Sequence, residues 1–213
     1  MPHSPRRWLG RLLRPRRRGL VPRQFRRDGA IFIHVPKCAG SALLDAWLGF
    51  QTGHVTAAEY RDADPAFFDA AYVFAFVRDP VARFLSAYDH VRTGDLWPCL
   101  PEVRAAVGRH GDSPAGVAAG LAADADLLRL PWFAPQHTFL EIGGRVAADR
   151  VFKTESFATD LELLRAETSI RLRPLAPVNR RGAGGRPEDR LSPEAIGILR
   201  RVYWRDFTLF GYY

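Results

Sequence analysis

The chain has 213 residues, of which 47% are hydrophobic, and a formal net charge of +8 at pH 7. This length and apolar content fit one domain with a core of its own. The two cysteines exclude a disulfide framework, and no stretch approaches the ~20 consecutive apolar residues that a membrane span needs.

The positive charge is concentrated at the N-terminus. Residues 1–27 hold ten arginines and no acidic residue, whereas residues 28–213 hold 21 basic and 23 acidic side chains, a net charge of −2. We therefore predict a basic, flexible arm over residues 1–29 and a single domain over residues 30–213. Arginines interrupt the apolar residues of the arm, which argues against a signal peptide. Two interpretations stay open: a disordered tail, or docking on an anionic surface of membrane lipid, nucleic acid or acidic glycan.

The stretch Ile31–Leu44 has the pattern of a strand, a tight turn and a helix. Residues 31–35 are a short apolar run with β-branched members. Pro36 ends the strand because proline has no N–H for a sheet ladder. A turn of small residues follows, and a helix is predicted from Ser41 onward.

This geometry suits an anion, because the N–H groups of the turn and the positive end of the helix dipole converge on one point. The residue order is not that of a Walker A loop, since Lys37 precedes the only glycine, Gly40. The alternative interpretation is an ordinary turn that carries a surface lysine.

A histidine precedes the next predicted helix. Thr56-x-x-Glu59 has the capping-box pattern, so a short helix should begin at Thr56. His54 lies just before this start. It is a candidate general base, and the alternative is a histidine that only caps the helix.

Tyr72–Val77 is a second apolar run, as expected for a parallel strand that is buried on both faces. Arg78 follows directly, and Asp79 and Pro80 are typical of a helix start. Ser86 lies about two turns into that helix. Arg78 and Ser86 together would suit a second phosphate. Taken singly, a salt bridge and a helix-surface hydroxyl are the alternatives.

The remaining elements alternate between helix and strand. Trp132 and Phe133 are interpreted as core residues rather than as the lining of an acceptor cleft. In chain order we predict a short helix within the loop-rich residues 96–111, a helix from Ser113 to about Leu128, a loop at 131–137, strands at Thr138–Ile142 and Arg150–Lys153, a helix at Ser156–Glu167, a loop at 174–190, and a final helix from Ser192 to about Trp204. The alternation predicts an α/β fold, with a parallel sheet flanked by helices and ligands at the carboxyl ends of its strands.

Two of these stretches together resemble a known family. PKCAGSAL and the later FVRDPVARFLSAY are similar to the 5′-phosphosulfate and 3′-phosphate loops of sulfotransferases that use 3′-phosphoadenosine 5′-phosphosulfate (PAPS). The similarity is closest to the carbohydrate-type branch, which includes heparan sulfate 2-O-sulfotransferase and many bacterial relatives. It extends over residues 30–213 through RVFKTESFATDLELL and the ending VYWRDFTLFGYY. It implies a sulfotransferase fold of the P-loop-kinase-like type.

The resemblance implies PAPS as the sulfuryl donor and a hydroxyl acceptor, a carbohydrate or a glycolipid-like molecule. It implies that Lys37 neutralises charge on the leaving oxygen and that His54, within GHVTAAEY, takes the proton of the acceptor, with His137 as the reserve base. By this chemistry no metal is needed. The donor-binding residues that it implies are Pro36, Lys37, Cys38, Ala39, Gly40, Ser41 and Ala42 for the 5′-phosphosulfate, Arg78 and Ser86 for the 3′-phosphate, and Asn179 and Arg180 in a loop that closes over the nucleotide.

Two other functions stay open. One is a nucleoside or small-molecule kinase of related fold, against which the lack of a Walker A loop counts. The other is a non-catalytic anion-binding protein with a basic arm. We expect a cytoplasmic protein that lies at a membrane surface if the arm docks there, and we do not expect nucleic acid as its partner.

Overall fold

The structure, a computed structural model, describes residues 19–93, 100–175 and 186–213. The chain divides into two compact units. Of the described residues, the first unit comprises 19–77 and 136–175, and the second comprises 78–93, 100–135 and 186–213.

Helices alternate with short strands in the described residues. The helices are α1 (Arg23–Asp28), α2 (Gly40–Trp47), α3 (Ala57–Ala63), α4 (Pro65–Ala70), α5 (Pro80–Thr93), α6 (Leu100–Gly108), α7 (Pro114–Ala123), α8 (His137–Leu140), α9 (Phe157–Glu167), α10 (Pro193–Val202) and α11 (Trp204–Phe210). The strands are β1 (Ala30–Ile33), β2 (Tyr72–Val77), β3 (Glu141–Ile142), β4 (Arg145–Val146) and β5 (Arg150–Lys153). Short 3₁₀ turns lie at Leu127–Arg129, Thr154–Ser156 and Pro187–Asp189.

A parallel sheet with the strand order β1-β2-β5 lies at the centre of the first unit. All of β1 and the last five residues of β2 are buried, as expected for strands that are covered on both faces. Because the strands are parallel, their carboxyl ends share one edge of the sheet. The register runs from Ala30↔Tyr72 to Ile33↔Ala75 between β1 and β2, and from Phe74↔Arg150 to Val77↔Lys153 between β2 and β5.

Strand β1 ends earlier than the predicted strand over residues 31–35. The N–H of Val35 donates to the carbonyl of Ile33 at 3.1 Å, which turns the chain back on itself in the manner of a γ-turn. The chain therefore leaves the sheet before it reaches Pro36, and the proline begins the turn instead of ending the strand.

Helix α1 lies in the segment that was predicted to be part of the arm. Its Phe25 is 0% exposed, and the Phe25 ring stacks on Trp47 of α2 with 4.8 Å between centroids. Trp47 Nε1 donates to Asp28 at 2.7 Å. Residues 23–28 are thus folded against the first unit, whereas residues 1–18 lie outside the described part of the chain.

The predicted strand at Thr138–Ile142 is only partly correct. The structure has helix α8 up to Leu140 and then the antiparallel pair β3–β4. Gly143 and Gly144 join the two strands with φ of 59° and 79°, the positive values that a type I′ hairpin turn requires and that glycine adopts without strain. The hairpin, which the sequence analysis missed, takes the last two residues of the predicted strand.

The described part of the second unit is helical, and α10 packs against both α5 and α7. Two predicted helix starts are confirmed here. Ser113 Oγ accepts from the N–H of Gly116 at 3.1 Å, and Ser192 Oγ accepts from the N–H of Ala195 at 3.3 Å. The helix that begins after Ser113 ends at Ala123, earlier than predicted.

The fold is therefore mixed α/β, with a three-stranded parallel sheet flanked by helices, as the alternation of elements predicted. In the part of the chain that the structure describes, none of the helices has the length and apolarity to cross a membrane.

Candidate functional site

The loop that follows β1, residues 36–42, is called the anion loop from here on. The sign of the backbone φ angle alternates along the loop. Lys37 has φ of 68° and Ala39 has φ of 59°, while the φ of Cys38 between them is not positive. Such alternation turns successive N–H groups to one side, and the resulting concavity binds anions. Two non-glycine residues in the left-handed region also carry local strain, which is commonly kept at functional sites.

Helix α2 begins at Gly40, inside the anion loop. Among the described residues no side chain caps this helix start, and the first turn has no acidic residue. The backbone N–H groups of its first turn can therefore donate to a ligand, and the positive end of the helix dipole favours an anion there. Lys37 is half-buried and Ser41 is exposed. This arrangement could receive an anion, and the assignment of residues 36–42 to a 5′-phosphosulfate group stays a prediction.

Gly40 has a more specific role than the sequence indicated. A Cβ on Gly40 would lie 2.2 Å from Cδ2 and 2.6 Å from Nε2 of His34, and 3.0 Å from Cζ of Phe32. The glycine was expected to let the backbone approach an anion. In the structure it makes room for the imidazole ring of His34, which lies directly against the first turn of α2.

Cys38 points into the protein, with 1% of its surface exposed. Its thiol donates to Oε1 of Gln136 at 3.3 Å and contacts the Pro36 carbonyl at 3.6 Å. Any contact of Cys38 with an anion would therefore come from its backbone N–H. Gln136, itself 0% exposed, fastens the anion loop to the start of α8 and was missed by the sequence analysis.

His54 is oriented by the end of β1. Its Nδ1 lies 3.0 Å from the carbonyl oxygen of His34. A carbonyl can only accept, so Nδ1 carries the proton and, in the neutral ring, Nε2 carries the lone pair. Thr56 and Glu59 form the complete capping box of α3 by themselves, so that the helix start does not depend on His54. The structure thus brings His54 and the anion loop to the same strand end.

His34 lies between these two features. Its ring centroid is 4.5 Å from that of His54, and its Nδ1 has no hydrogen-bond partner among the described residues. Burial lowers the pKa of His34 well below the usual 6.5, and electrostatic interactions with His54 and Lys37 lower it further, against a hydrogen bond with the Gly53 backbone that raises it. His34 is therefore neutral at pH 7.

The other predicted donor-binding residues belong to the second unit or lie outside the described residues. Arg78 directly follows β2 and Ser86 lies on α5, and both are half-buried. Asp79 Oδ1 accepts from the N–H of Ala82 at 2.8 Å, so its predicted capping role is confirmed. Asn179 and Arg180 lie outside the described residues. His137, the reserve base, is half-buried at the start of α8.

A buried arginine, which the sequence analysis also missed, holds part of the loop that was predicted at residues 131–137. Arg83 on α5 is 1% exposed, and its Nη2 donates to the carbonyl of Ala134 at 2.8 Å and to that of Trp132 at 3.3 Å. The signal was present, because Arg83 shares the helical stripe of the apolar Ala87 and Val91. Trp132 itself is buried, as predicted for a core residue.

Compared with protein-family models, with curated proteins and with solved structures, the chain gives no significant match. Within residues 19–93, 100–175 and 186–213 no group of three or more His, Cys, Asp or Glu side chains is placed to hold a metal ion. The functional assignment therefore depends on the residues themselves, and the metal-free reaction stays a prediction.

Proposed function

We propose that this chain is a sulfotransferase of the P-loop-kinase-like fold that moves a sulfuryl group from PAPS to a hydroxyl of a carbohydrate or glycolipid-like acceptor. The observation that carries the proposal is the hydrogen bond from His54 Nδ1 to the His34 carbonyl, at 3.0 Å. It orients an imidazole base at the strand end from which the anion loop departs.

The anion loop supports the donor half of the proposal. Its alternating backbone and the uncapped start of α2 suit the 5′-phosphosulfate group. The ammonium of Lys37 supplies a full charge in the same loop, and the N–H groups of Gly40, Ser41 and Ala42 supply directed donors. The assignment of Arg78, Ser86, Asn179 and Arg180 to the rest of the nucleotide depends on sequence alone.

The proposed reaction is an in-line displacement at sulfur. Nε2 of His54 accepts the proton of the acceptor hydroxyl while the hydroxyl oxygen forms its new bond to sulfur. The bond between sulfur and the 5′-phosphate oxygen breaks, and its electron pair leaves with adenosine 3′,5′-bisphosphate. Lys37 neutralises the charge that develops on that oxygen. The rate gain comes from positioning and from charge stabilisation.

The test is transfer of a labelled sulfuryl group from PAPS to a panel of sugars, glycolipids and phenols, with γ-labelled ATP as the competing donor. We expect label on sugar or glycolipid hydroxyls from PAPS and none from ATP. Transfer from ATP alone would identify a kinase. Binding of adenosine 3′,5′-bisphosphate without transfer to any acceptor would identify a non-catalytic anion-binding protein. Either result would overturn the proposal.

A further inference from the structure

His34 is a buried polar side chain to which the proposed reaction gives no role. It is 5% exposed and follows the last residue of β1, in the turn that the Val35 N–H closes onto the Ile33 carbonyl. One side of its ring meets the first turn of α2 at Gly40, and the ring also lies 4.5 Å from the ring of His54. Its carbonyl accepts the hydrogen bond that orients His54. The anion loop and His54 thus both contact this one residue.

We propose that His34 is a positioning residue, whose ring sets the distance and angle between the anion loop and His54. The inference rests on the proposed function for its catalytic meaning, while the contacts that carry it belong to the first unit alone. His34 takes no part in proton transfer and touches no substrate.

The contact with Gly40 gives the ring its effect on the anion loop. The ring of His34 fills the space beside the Cα of Gly40. It therefore blocks a shift of α2 toward β1 and keeps the N–H groups at the start of α2 in place. A shift of about 1 Å in such groups is enough to cost two orders of magnitude in rate. The ring therefore acts as a spacer for the donor-binding groups.

The contact with His54 gives the ring its second effect. The hydrogen bond to the His34 carbonyl fixes the position of Nδ1 of His54. The neighbouring ring of His34, tilted by 54° with 4.5 Å between the centroids, limits how the His54 ring can turn about that point. A neutral ring suits this place, because a charged one would be buried and would face the ammonium of Lys37.

A double-mutant cycle tests the contact with Gly40. We expect Gly40→Ala to weaken binding of adenosine 3′,5′-bisphosphate at least tenfold and to lower the melting temperature by about 3–10 °C, because the new Cβ overlaps the ring. In the His34→Ala background the overlap disappears, and only Phe32 has to yield by a few tenths of an ångström. The double variant should therefore bind more tightly than Gly40→Ala alone. Additive losses would overturn the proposal.

The second unit provides a matched control. A Cβ on Gly120 of α7 would lie 2.4 Å from Cγ of His110, the same kind of contact between a histidine ring and a helix glycine. Gly120→Ala and His110→Ala should show a similar compensation in melting temperature. These two substitutions should change neither the affinity for adenosine 3′,5′-bisphosphate nor which ring nitrogen of His54 carries the proton. If they change these as much as the His34 and Gly40 variants do, the effect is general destabilisation and the proposal is wrong.

The readout that a merely structural residue would not move is the ring of His54, followed by ¹⁵N NMR of histidine-labelled protein. In the wild type, Nδ1 should give a protonated and Nε2 an unprotonated signal. In His34→Ala the two signals should move toward an average, and turnover should fall at least tenfold. His34→Phe, which keeps a flat ring, should restore most of the signal separation and most of the turnover.

If His34→Ala lowers only the melting temperature, His34 is structural. If the wild type transfers no sulfate while the NMR and the mutant cycle behave as expected, the proposed function fails and the positioning inference stands.

Discussion

Lys37 combines a full positive charge with a left-handed backbone, φ 68°. If the charge acts on the leaving oxygen, Lys37→Ala should lower turnover by about 10²–10³, the usual effect of removing one stabilising group. Bisphosphate affinity should fall by less than about tenfold, because the interaction is strongest in the transition state. Sulfate transfer and equilibrium binding, measured on the same variant, give the two numbers.

Lys153, the only other lysine in the sequence, is the matched control for Lys37. It ends β5, and no step of the proposed reaction uses it. In Lys153→Ala, the ratio of turnover to affinity for adenosine 3′,5′-bisphosphate should equal that of the wild type. Equal losses of turnover and affinity in Lys37→Ala would contradict the assigned role of Lys37.

His54 can be separated into a base and a hydrogen-bond donor by two substitutions. Asn keeps an N–H that can donate to the His34 carbonyl, whereas Ala does not. Both should lose about 10²–10⁴ in turnover, since neither is a base, and wild-type turnover should rise with pH because only the neutral imidazole accepts a proton. Pre-steady-state measurements of sulfuryl transfer by the wild type and both variants at a series of pH values test these expectations. An Asn variant that keeps wild-type turnover would show that His54 only braces the structure.

The buried, neutral His34 should make folding stability depend on pH. Burial lowers its pKa in the folded state well below 6.5, while in the unfolded state the pKa stays near ~6.5. Below that pH the unfolded chain binds a proton that the folded chain does not, so the free energy of unfolding falls as the pH decreases, by up to about 1.4 kcal/mol per pH unit. Above ~6.5 this contribution is constant.

The comparison with His34→Phe isolates that effect from other titrating groups. Urea unfolding at about pH 7.5 and about pH 5.5 should show a larger loss for the wild type than for the variant. Identical losses would mean that His34 is protonated in the folded protein.

At the residue scale, the sequence analysis recovered what local chemistry determines. The small-residue turn, its lysine and a histidine before a capping box were all predicted from their order in the chain. The left-handed backbone of Lys37 and the role of Gly40 were not, and the role of Gly40 depends on the His34 ring that lies against it. His34 was assigned to a strand, whereas its importance comes from its contacts with Gly40 and with His54, which the order of residues does not reveal.

Helix α1 decides where the folded part of the chain begins. Phe25 is completely buried against Trp47, so Phe25→Ala should lower the free energy of unfolding by about 3–5 kcal/mol. Phe50 is the matched control, because it belongs to the same unit and is 45% exposed. Phe50→Ala should cost about 0.5 kcal/mol or less. Urea titrations of both variants measure the difference, and similar costs would mean that α1 does not belong to the core.

At the element scale, prediction succeeded where local pattern and burial agree. Tyr72–Val77 is β-prone and buried in all but its first residue, and β2 has the predicted bounds. The prediction of a strand failed at α8, where Phe139 and Leu140 are both buried although they are adjacent in sequence. Two adjacent buried residues fit one turn of helix and break the alternation of a half-buried strand. The sequence of this segment is β-prone, so tertiary packing decides its conformation.

The final helix shows the same limit. The predicted helix from Ser192 to about Trp204 ends at Val202, and a separate helix runs from Trp204 to Phe210. Tyr203 at the junction is 1% exposed and donates its hydroxyl to the carbonyl of Phe133 at 2.8 Å. This contact, 70 residues away in sequence, has no local signature.

At the scale of the whole molecule, charge is distributed far more unevenly than the net value suggests. Residues 1–18 hold seven arginines and no acid, and residues 19–213 hold 24 basic and 23 acidic side chains, a net charge of +1. A shortened chain that starts at residue 19 loses most of the net charge and keeps Phe25 and the rest of α1. It therefore separates electrostatic attraction from folding, which a deletion through residue 27 would confuse.

We expect the full chain to bind vesicles that contain phosphatidylserine at low ionic strength, with about 1 kcal/mol for each arginine that reaches the surface. Binding should disappear near 1 M salt, where the Debye length is about 3 Å. The chain that starts at residue 19 should stay in the supernatant with these vesicles, and both chains should stay there with phosphatidylcholine. Both should show the same rise in melting temperature with adenosine 3′,5′-bisphosphate, because the anion loop is unchanged. Vesicle binding by the shortened chain would place the anionic contact on the folded units, and a smaller thermal shift would show that residues 1–18 contribute to nucleotide binding.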